Sequence, residues 1–244
     1  MIKMKAIHQD MLSSITRGEQ LLAVLIDPDK MDLEGLSSFM IKLNASIVTH
    51  IFVGGSTVEA FKTDELICVL KGLTDLPIVI FPGDVSQISS HADALLFLSL
   101  VSGRNPDYLI GKQIEAVSVL RNMALEVIPT GYLLIENGKK TAVERVTQTQ
   151  PLTRYDIQHI VDTAVACQLL GMKCIYLEAG SGAINPINVE IIQAVKKEVH
   201  IPLIIGGGIT SKQQLDSAYA AGADMVVIGT AFEENASFFE ELNK

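Results

Sequence analysis

The amino-acid sequence predicts one α/β domain, a (β/α)8 or TIM barrel whose third helix is replaced by a loop. Three observations carry this. Eight short, continuous apolar runs are spread along the 244 residues, and continuous rather than alternating runs are what parallel strands covered on both faces require. Stretches with helical periodicity separate most of them, and strand alternating with helix over this length is the barrel pattern. Glycine- or aspartate-rich corners follow the runs, at the strand ends where such barrels keep their chemistry. An open doubly wound sheet, the competing arrangement, normally stops at about five or six strands and carries its ligand loop after the first. No linker or low-complexity segment interrupts the sequence, so residues 1–244 are expected to form a single domain.

Taken in order, the apolar runs are residues 21–27, 50–55, 77–83, 94–101, 125–130, 174–180, 202–208 and 225–230. After the second, positions 58, 61, 66, 69 and 70 put apolar side chains on one helical face. Between the third and fourth, residues 84–93 leave too little chain for a covering helix, so one side of the barrel is expected to be open. The fifth run is followed by a loop of more than 20 residues in which Asn137-Gly138, between two short apolar runs, signals a hairpin. Long loops at this end of a barrel are usually functional. Residues 155–170 repeat the helical pattern at 157, 160, 161, 164, 165 and 169. Thr210 with Gln213 reads as a capping box, Leu215, Ala218 and Tyr219 as the inner face of the next helix, and Gly222 as its C-cap.

Composition removes several classes of function. The 19 basic and 28 acidic residues give a net charge of −9, with no basic run, which disfavours binding nucleic acid by charge. With 48% hydrophobic residues the chain buries far more apolar surface than a disordered one. No uninterrupted apolar stretch approaches the roughly 18–20 residues of a membrane span. The N-terminal ten residues lack an export core, and Cys68, Cys167 and Cys174 form no CxxC pair, so a cytoplasmic protein with reduced, mostly buried thiols is expected. The five histidines show no ligand spacing, and a zinc site is not expected.

The strand ends hold the chemistry. Gly206-Gly-Gly after the seventh run and Gly229-Thr230 after the eighth suit a phosphate cup, where bare backbone amides and a helix N-terminus meet the anion. The same glycines also suit a tight strand-to-helix turn. Glu178, ahead of Gly180-Ser-Gly, is a general base or metal ligand opposite that cup, unless it pairs with a cation in the barrel mouth. Tyr176, two residues earlier, lies on the same strand face. Asp27 can hold Mg²⁺, with water and substrate phosphate oxygens completing its shell. Ser56 offers a hydroxyl to the same ion or an N-cap to the next helix. No lysine ends a run, which disfavours a Schiff-base aldolase, and no Ser-His-Asp set is visible. The inventory suits metal-assisted displacement of a phosphorylated leaving group by a substrate hydroxyl.

Leu25-Ile-Asp-Pro-Asp-Lys, Val53-Gly-Gly-Ser, Tyr176-Leu-Glu-Ala-Gly-Ser-Gly-Ala, Ile205-Gly-Gly-Gly-Ile and Val227-Ile-Gly-Thr occur together and in order. In these the chain closely resembles the geranylgeranylglyceryl phosphate synthase family, with its bacterial relatives that transfer other prenyl chains. The resemblance spans nearly the whole chain. It implies a barrel lacking the third helix, and transfer of a prenyl group from its diphosphate to the C3 hydroxyl of sn-glycerol 1-phosphate, in ether phospholipid synthesis. By position it implies Mg²⁺ on Asp27 and Ser56. It further implies glycerol phosphate on Tyr176, Leu177, Glu178, Ala179, Gly180, Ser181, Gly182, Gly207, Gly208, Gly229 and Thr230, with Glu178 as base. Leu25 stands where heptaprenyl-transferring relatives carry lysine, which implies a geranylgeranyl donor. The prenyl tail is expected in an apolar groove beside residues 84–93, with Leu96, Phe97, Leu98 and Leu100 as candidate lining. A homo-oligomer, dimer or hexamer, is expected, with a product that partitions into membrane. Two other readings are a sugar-phosphate enzyme of the histidine or tryptophan biosynthesis type and a phosphate-binding scaffold without catalysis.

Overall fold

The computed structural model describes residues 6–229 and 242. Eight strands close a fully parallel barrel in sequence order, each paired with the next and the last with the first. They are β1 (Leu21–Ile26), β2 (His50–Val53), β3 (Ile78–Ile80), β4 (Ala94–Leu100), β5 (Glu126–Leu134), β6 (Cys174–Glu178), β7 (Leu203–Gly206) and β8 (Met225–Ile228). The covering helices are α2 (Leu33–Ala45), α3 (Lys62–Lys71), α4 (Lys112–Leu120), α5 (Ala142–Thr147), α6 (Ile157–Leu169), α7 (Val189–Glu198) and α8 (Lys212–Ala220), after an N-terminal α1 (Ile7–Thr16). Among the described residues, no helix is long and apolar enough to cross a membrane.

Strand alternation divides the apolar residues into two cores. Residues such as Leu22, Val24, Ile51, Leu177 and Ile205 face outward and pack against the helices. Ala23, Phe52, Val79, Leu96, Tyr132, Tyr176 and Ile204 fill the barrel interior. The N-terminal end of the barrel is plugged by Ile7 and Met11 of α1, which belong to that interior core. Glu126, at the start of β5, holds the plug by accepting the backbone N–H of Ile7 at 2.5 Å and of His8 at 3.3 Å. This supplies two of the helix-terminal amides with an acceptor and places negative charge at the positive end of the helix dipole.

Between β3 and β4 the chain makes only one 3-10 turn, Val85–Gln87, capped by the Asp84 side chain. The barrel therefore lacks a covering helix on that side, as the short connection predicts. Three readings need correction. β5 continues through Pro129 and Gly131 to Leu134, four residues past its expected end. Residues 137–138 form no hairpin: Ile135 bridges Leu152 in parallel, and the Asn137 amide donates instead to the Ala179 carbonyl. The cap of α8 sits one residue later than expected, with Ser211 accepting from the Gln214 N–H at 3.3 Å. Cys68 is exposed, whereas Cys167 and Cys174 are buried thiols as expected.

Candidate active site

Below the open end of the barrel lies an aromatic layer. The Phe81 and Tyr176 rings stack with centroids 5.0 Å apart, and Tyr132 tilts against both at 5.8 and 5.5 Å. Phe52 stacks beneath Phe81 at 6.5 Å. Such contacts add to the burial of large rings and close the interior to water. Tyr132 was not expected here, because the sequence places the end of β5 before it.

On this layer sits Glu178, only 6% exposed, at the end of β6. Its Oε1 accepts the Gly180 N–H at 2.5 Å. Burial pushes its carboxyl up to about 7, against the opposing pull of the Gly180 N–H and the Tyr176 hydroxyl. That hydroxyl is buried and has no partner in good hydrogen-bond geometry among the described residues, yet it lies near enough to stabilise the carboxylate. Burial, reinforced by the nearby negative charge, raises both Tyr132 and Tyr176 well above the usual phenol range, so both remain hydroxyls.

The glycines after β7 exist partly to seat this pair. A Cβ on Gly206 would stand 2.2 Å from the Tyr176 hydroxyl and 2.8 Å from Glu178 Oε2. One on Gly207 would stand 2.5 Å from Glu178 Oε1, and its φ of +85° is itself costly for any other residue. Gly208, with φ of +74°, packs against Pro186 and Ala183. Gly180 and Gly182 also have positive φ, and the rim at Gly182 faces the Lys139 ammonium, 3.0 Å from where a Cβ would be. Lys139 comes from the loop after β5, and Asn137 Oδ1 accepts its backbone N–H at 2.9 Å. The sequence signals that the loop is functional, but not that this cation reaches the cup.

The remaining expected residues distribute as follows. Ser181 is exposed on the same rim. Leu177 and Ala179 face the outer core and are wholly buried, so only their backbone can serve a ligand. Gly229 lies beside Leu25 at the β8–β1 seam, and Thr230 is outside the described residues.

Across the mouth, Asp27 follows β1 and is 21% exposed. Its Oδ1 accepts the Asp29 N–H at 3.1 Å, and Oδ2 lies 3.4 Å from Lys30 Nζ. A Cβ on Gly55 would approach Asp27 Oδ1 to 3.1 Å, so the bare glycine leaves the carboxylate a clear cradle. Ser56 is the next residue, and it does not cap α3, whose N-cap is Phe61 with no side-chain hydrogen bond. Gln87, almost wholly buried, ties this corner together. Its Nε2 donates to the Gly55 carbonyl at 2.9 Å, while Oε1 accepts the N–H of Gly83 at 3.2 Å and of Gly55 at 3.4 Å.

From Ser56 a groove runs down the side lacking a helix. Its walls are Phe81, Val85 and Ile88 on one side and Leu98, Tyr108 and Val143 on another. Leu96, Phe97 and Leu100 also line it, although Leu96 and Leu100 are at the same time interior packing residues. Lys112 and Asp84, paired at 2.8 Å, stand on its border. The site thus joins a carboxylate cradle, a glycine cup beside a buried carboxyl and an apolar channel.

Residues 14–244 match the model of the PcrB family. The chain belongs to that family. It is 54% identical over 234 residues to the geranylgeranylglyceryl phosphate synthase of Flavobacterium johnsoniae, with 96% of each chain covered. It is 52% identical to the protein of the same name from Zunongwangia profunda, covering 88% of this chain and 92% of that one. Among solved structures it superposes on (S)-3-O-geranylgeranylglyceryl phosphate synthase from Thermoplasma acidophilum in complex with sn-glycerol-1-phosphate. That match has a TM-score of 0.90 and 34% identity, with coverage of 98% and 96%. Within this PcrB chain the side between β3 and β4 lacks a covering helix, and Tyr176 and Glu178 lie buried near the end of β6.

Proposed function

We propose that this chain joins a prenyl group, geranylgeranyl, from its diphosphate to the C3 hydroxyl of sn-glycerol 1-phosphate in ether phospholipid synthesis. The observation that carries the reading is the placement of buried Glu178 between a glycine cup and an apolar groove, in a member of the PcrB family. The cup suits a phosphate because main-chain amides and Lys139 can meet it, which lets an acidic protein hold an anion locally. The groove suits a polyprenyl tail because its lining is apolar and its open side admits a chain lengthwise.

The reaction then follows from what each residue can do. The cup orients glycerol phosphate so that its C3 hydroxyl faces the allylic carbon of the donor, removing much of the entropic cost of bringing them together. As the hydroxyl oxygen bonds to that carbon, the carbon–oxygen bond to diphosphate breaks and its electron pair leaves with diphosphate. Glu178 accepts the hydroxyl proton; a carboxyl near 7 is matched to work as a base at neutral pH. The nearby Tyr176 hydroxyl favours the charged form of the carboxylate, the Gly180 N–H fixes one of its oxygens, and the aromatic layer keeps water from the reacting carbon. Asp27 and Ser56 fit Mg²⁺, since one carboxylate with a hydroxyl and the donor's phosphate oxygens is the set this ion takes. When bound it would supply charge neutralisation for the leaving diphosphate. Exposed Ile110, Ile114 and Val117 on and beside α4 favour a homo-oligomer, dimer or hexamer.

The test is direct. Pure protein with Mg²⁺, labelled sn-glycerol 1-phosphate and prenyl diphosphates of several lengths is incubated and extracted into organic solvent. Label should pass into solvent, most with geranylgeranyl diphosphate. No extractable label with any donor overturns the proposal, and label only with much longer donors overturns the choice of donor.

A further inference from the structure

Outside the proposed centre, the fold brings together three side chains of different donor chemistry. Asp64 and Cys68 lie four residues apart on α3 and so share a face. His91 comes from the segment leading into β4. One donor atom from each lies within 4.8 Å of the other two. The arrangement is held by Ser89, a buried residue of the same segment. Its hydroxyl donates to Asp64 Oδ1 at 2.5 Å and accepts the His91 backbone N–H at 3.2 Å. His91 Nδ1 sits 3.0 Å from the same Asp64 oxygen. Sequence spacing misses this group because its third member is 23 residues from Cys68 and reaches α3 only through the short β3–β4 connection.

We propose that Asp64, Cys68 and His91 form a site for a zinc-class divalent ion, with water as the fourth ligand. Bonds of about 2.0–2.3 Å to a tetrahedral ion put neighbouring donor atoms roughly 3.3–3.7 Å apart. The Asp64–His91 spacing is 3.0 Å, a little under that range, and all three donor atoms lie within 4.8 Å of one another. About an ångström of adjustment suffices, and the side chains of Asp64 and His91 are half exposed and can make it. Imidazole, thiolate and carboxylate together select zinc or cobalt over Mg²⁺ and Ca²⁺, which take oxygen donors. On binding, the Cys68 thiol proton passes to solvent and sulfur becomes a thiolate ligand. The Ser89 hydroxyl then serves as the outer hydrogen bond that orients the ligating carboxylate. Because Val85 and Ile88 of the same segment line the apolar groove, the ion would tie the groove wall to α3.

Cobalt(II) titration of the whole chain tests this, since a cobalt–thiolate bond gives a near-ultraviolet charge-transfer band. The expected result is one ion per chain with a dissociation constant on the order of micromolar or tighter. Zinc should displace the band, and Mg²⁺ in about hundredfold excess should not. Cys68→Ser should abolish the band, and His91→Gln should weaken binding by at least about tenfold. Both changes are at the surface and outside the proposed catalytic groups, so prenyl transfer without added zinc should be unchanged. A band that survives in Cys68→Ser would assign the thiolate to Cys167 or Cys174 and overturn the proposal. Binding of wild type only at millimolar cobalt would overturn it as well.

Discussion

Replacing Glu178 by glutamine should cost activity and yet make the protein more stable at alkaline pH. The carboxyl is buried and sits at about 7 instead of its ordinary 4.5. In the unfolded chain it titrates normally. Across the window between these two values the unfolded chain releases its proton while the folded chain keeps it, so the wild type loses stability as pH rises. The loss from this one group is ~3 kcal/mol, complete a little above the folded value and absent below the unfolded one. Glutamine has the same shape and can still accept the Gly180 N–H, but has no proton to lose. Urea unfolding of both proteins between about pH 4 and about pH 8.5 measures the difference. All other titrating groups are common to the two and cancel. The variant's stability relative to wild type should rise by ~3 kcal/mol over that window and then level off. In the prenyl-transfer assay it should be slower by about a hundredfold to ten-thousandfold, the usual worth of a general base. A difference in unfolding free energy that does not change with pH would refute the argument that burial sets this group's titration.

Three further outcomes are expected. Gly207→Ala forces a Cβ to 2.5 Å from Glu178 Oε1 at a φ of +85°; it should destabilise by about 2–5 kcal/mol in urea unfolding and lower kcat by displacing the base. Gln87→Ala leaves main-chain groups of Gly55 and Gly83 without partners; it should cost about 1–3 kcal/mol and raise KM for the prenyl diphosphate, and an unchanged unfolding midpoint would count against its role as a tie. Lys139→Ala removes a cation from the rim of the cup; steady-state kinetics should show KM for glycerol phosphate raised about tenfold or more with kcat nearly constant, whereas an equal fall in kcat would place Lys139 in the chemistry itself.

Much of the fold is legible because each parallel strand is an unbroken apolar run, and residues 84–93 are visibly too few for a helix. β5 is misread because Pro129 and Gly131 punctuate it like a strand end. What carries it onward is pairing with β4 and β6, from Tyr132 beside Leu100 to Leu134 beside Glu178, which no local pattern displays. Asn137-Gly138 imitates a hairpin turn, yet its side chain is captured by Ala179, a partner 42 residues away. The site divides in the same manner. Asp27, Glu178 and the glycines stand at strand ends and can be read there. Tyr132, Gln87 and Lys139 act through contacts between distant segments, and a single sequence carries no signal for those.

The aromatic layer has an optical consequence. The chain contains five tyrosines and no tryptophan. In most proteins tryptophan drains tyrosine emission by energy transfer, and here nothing does. Two of the five emitters, Tyr132 and Tyr176, have ring centroids 5.5 Å apart directly under the carboxylate of Glu178. Their share of the emission, over that of Tyr108, Tyr155 and Tyr219, should therefore change with the charge and occupancy of the mouth above them, in the unmodified protein and without an attached dye.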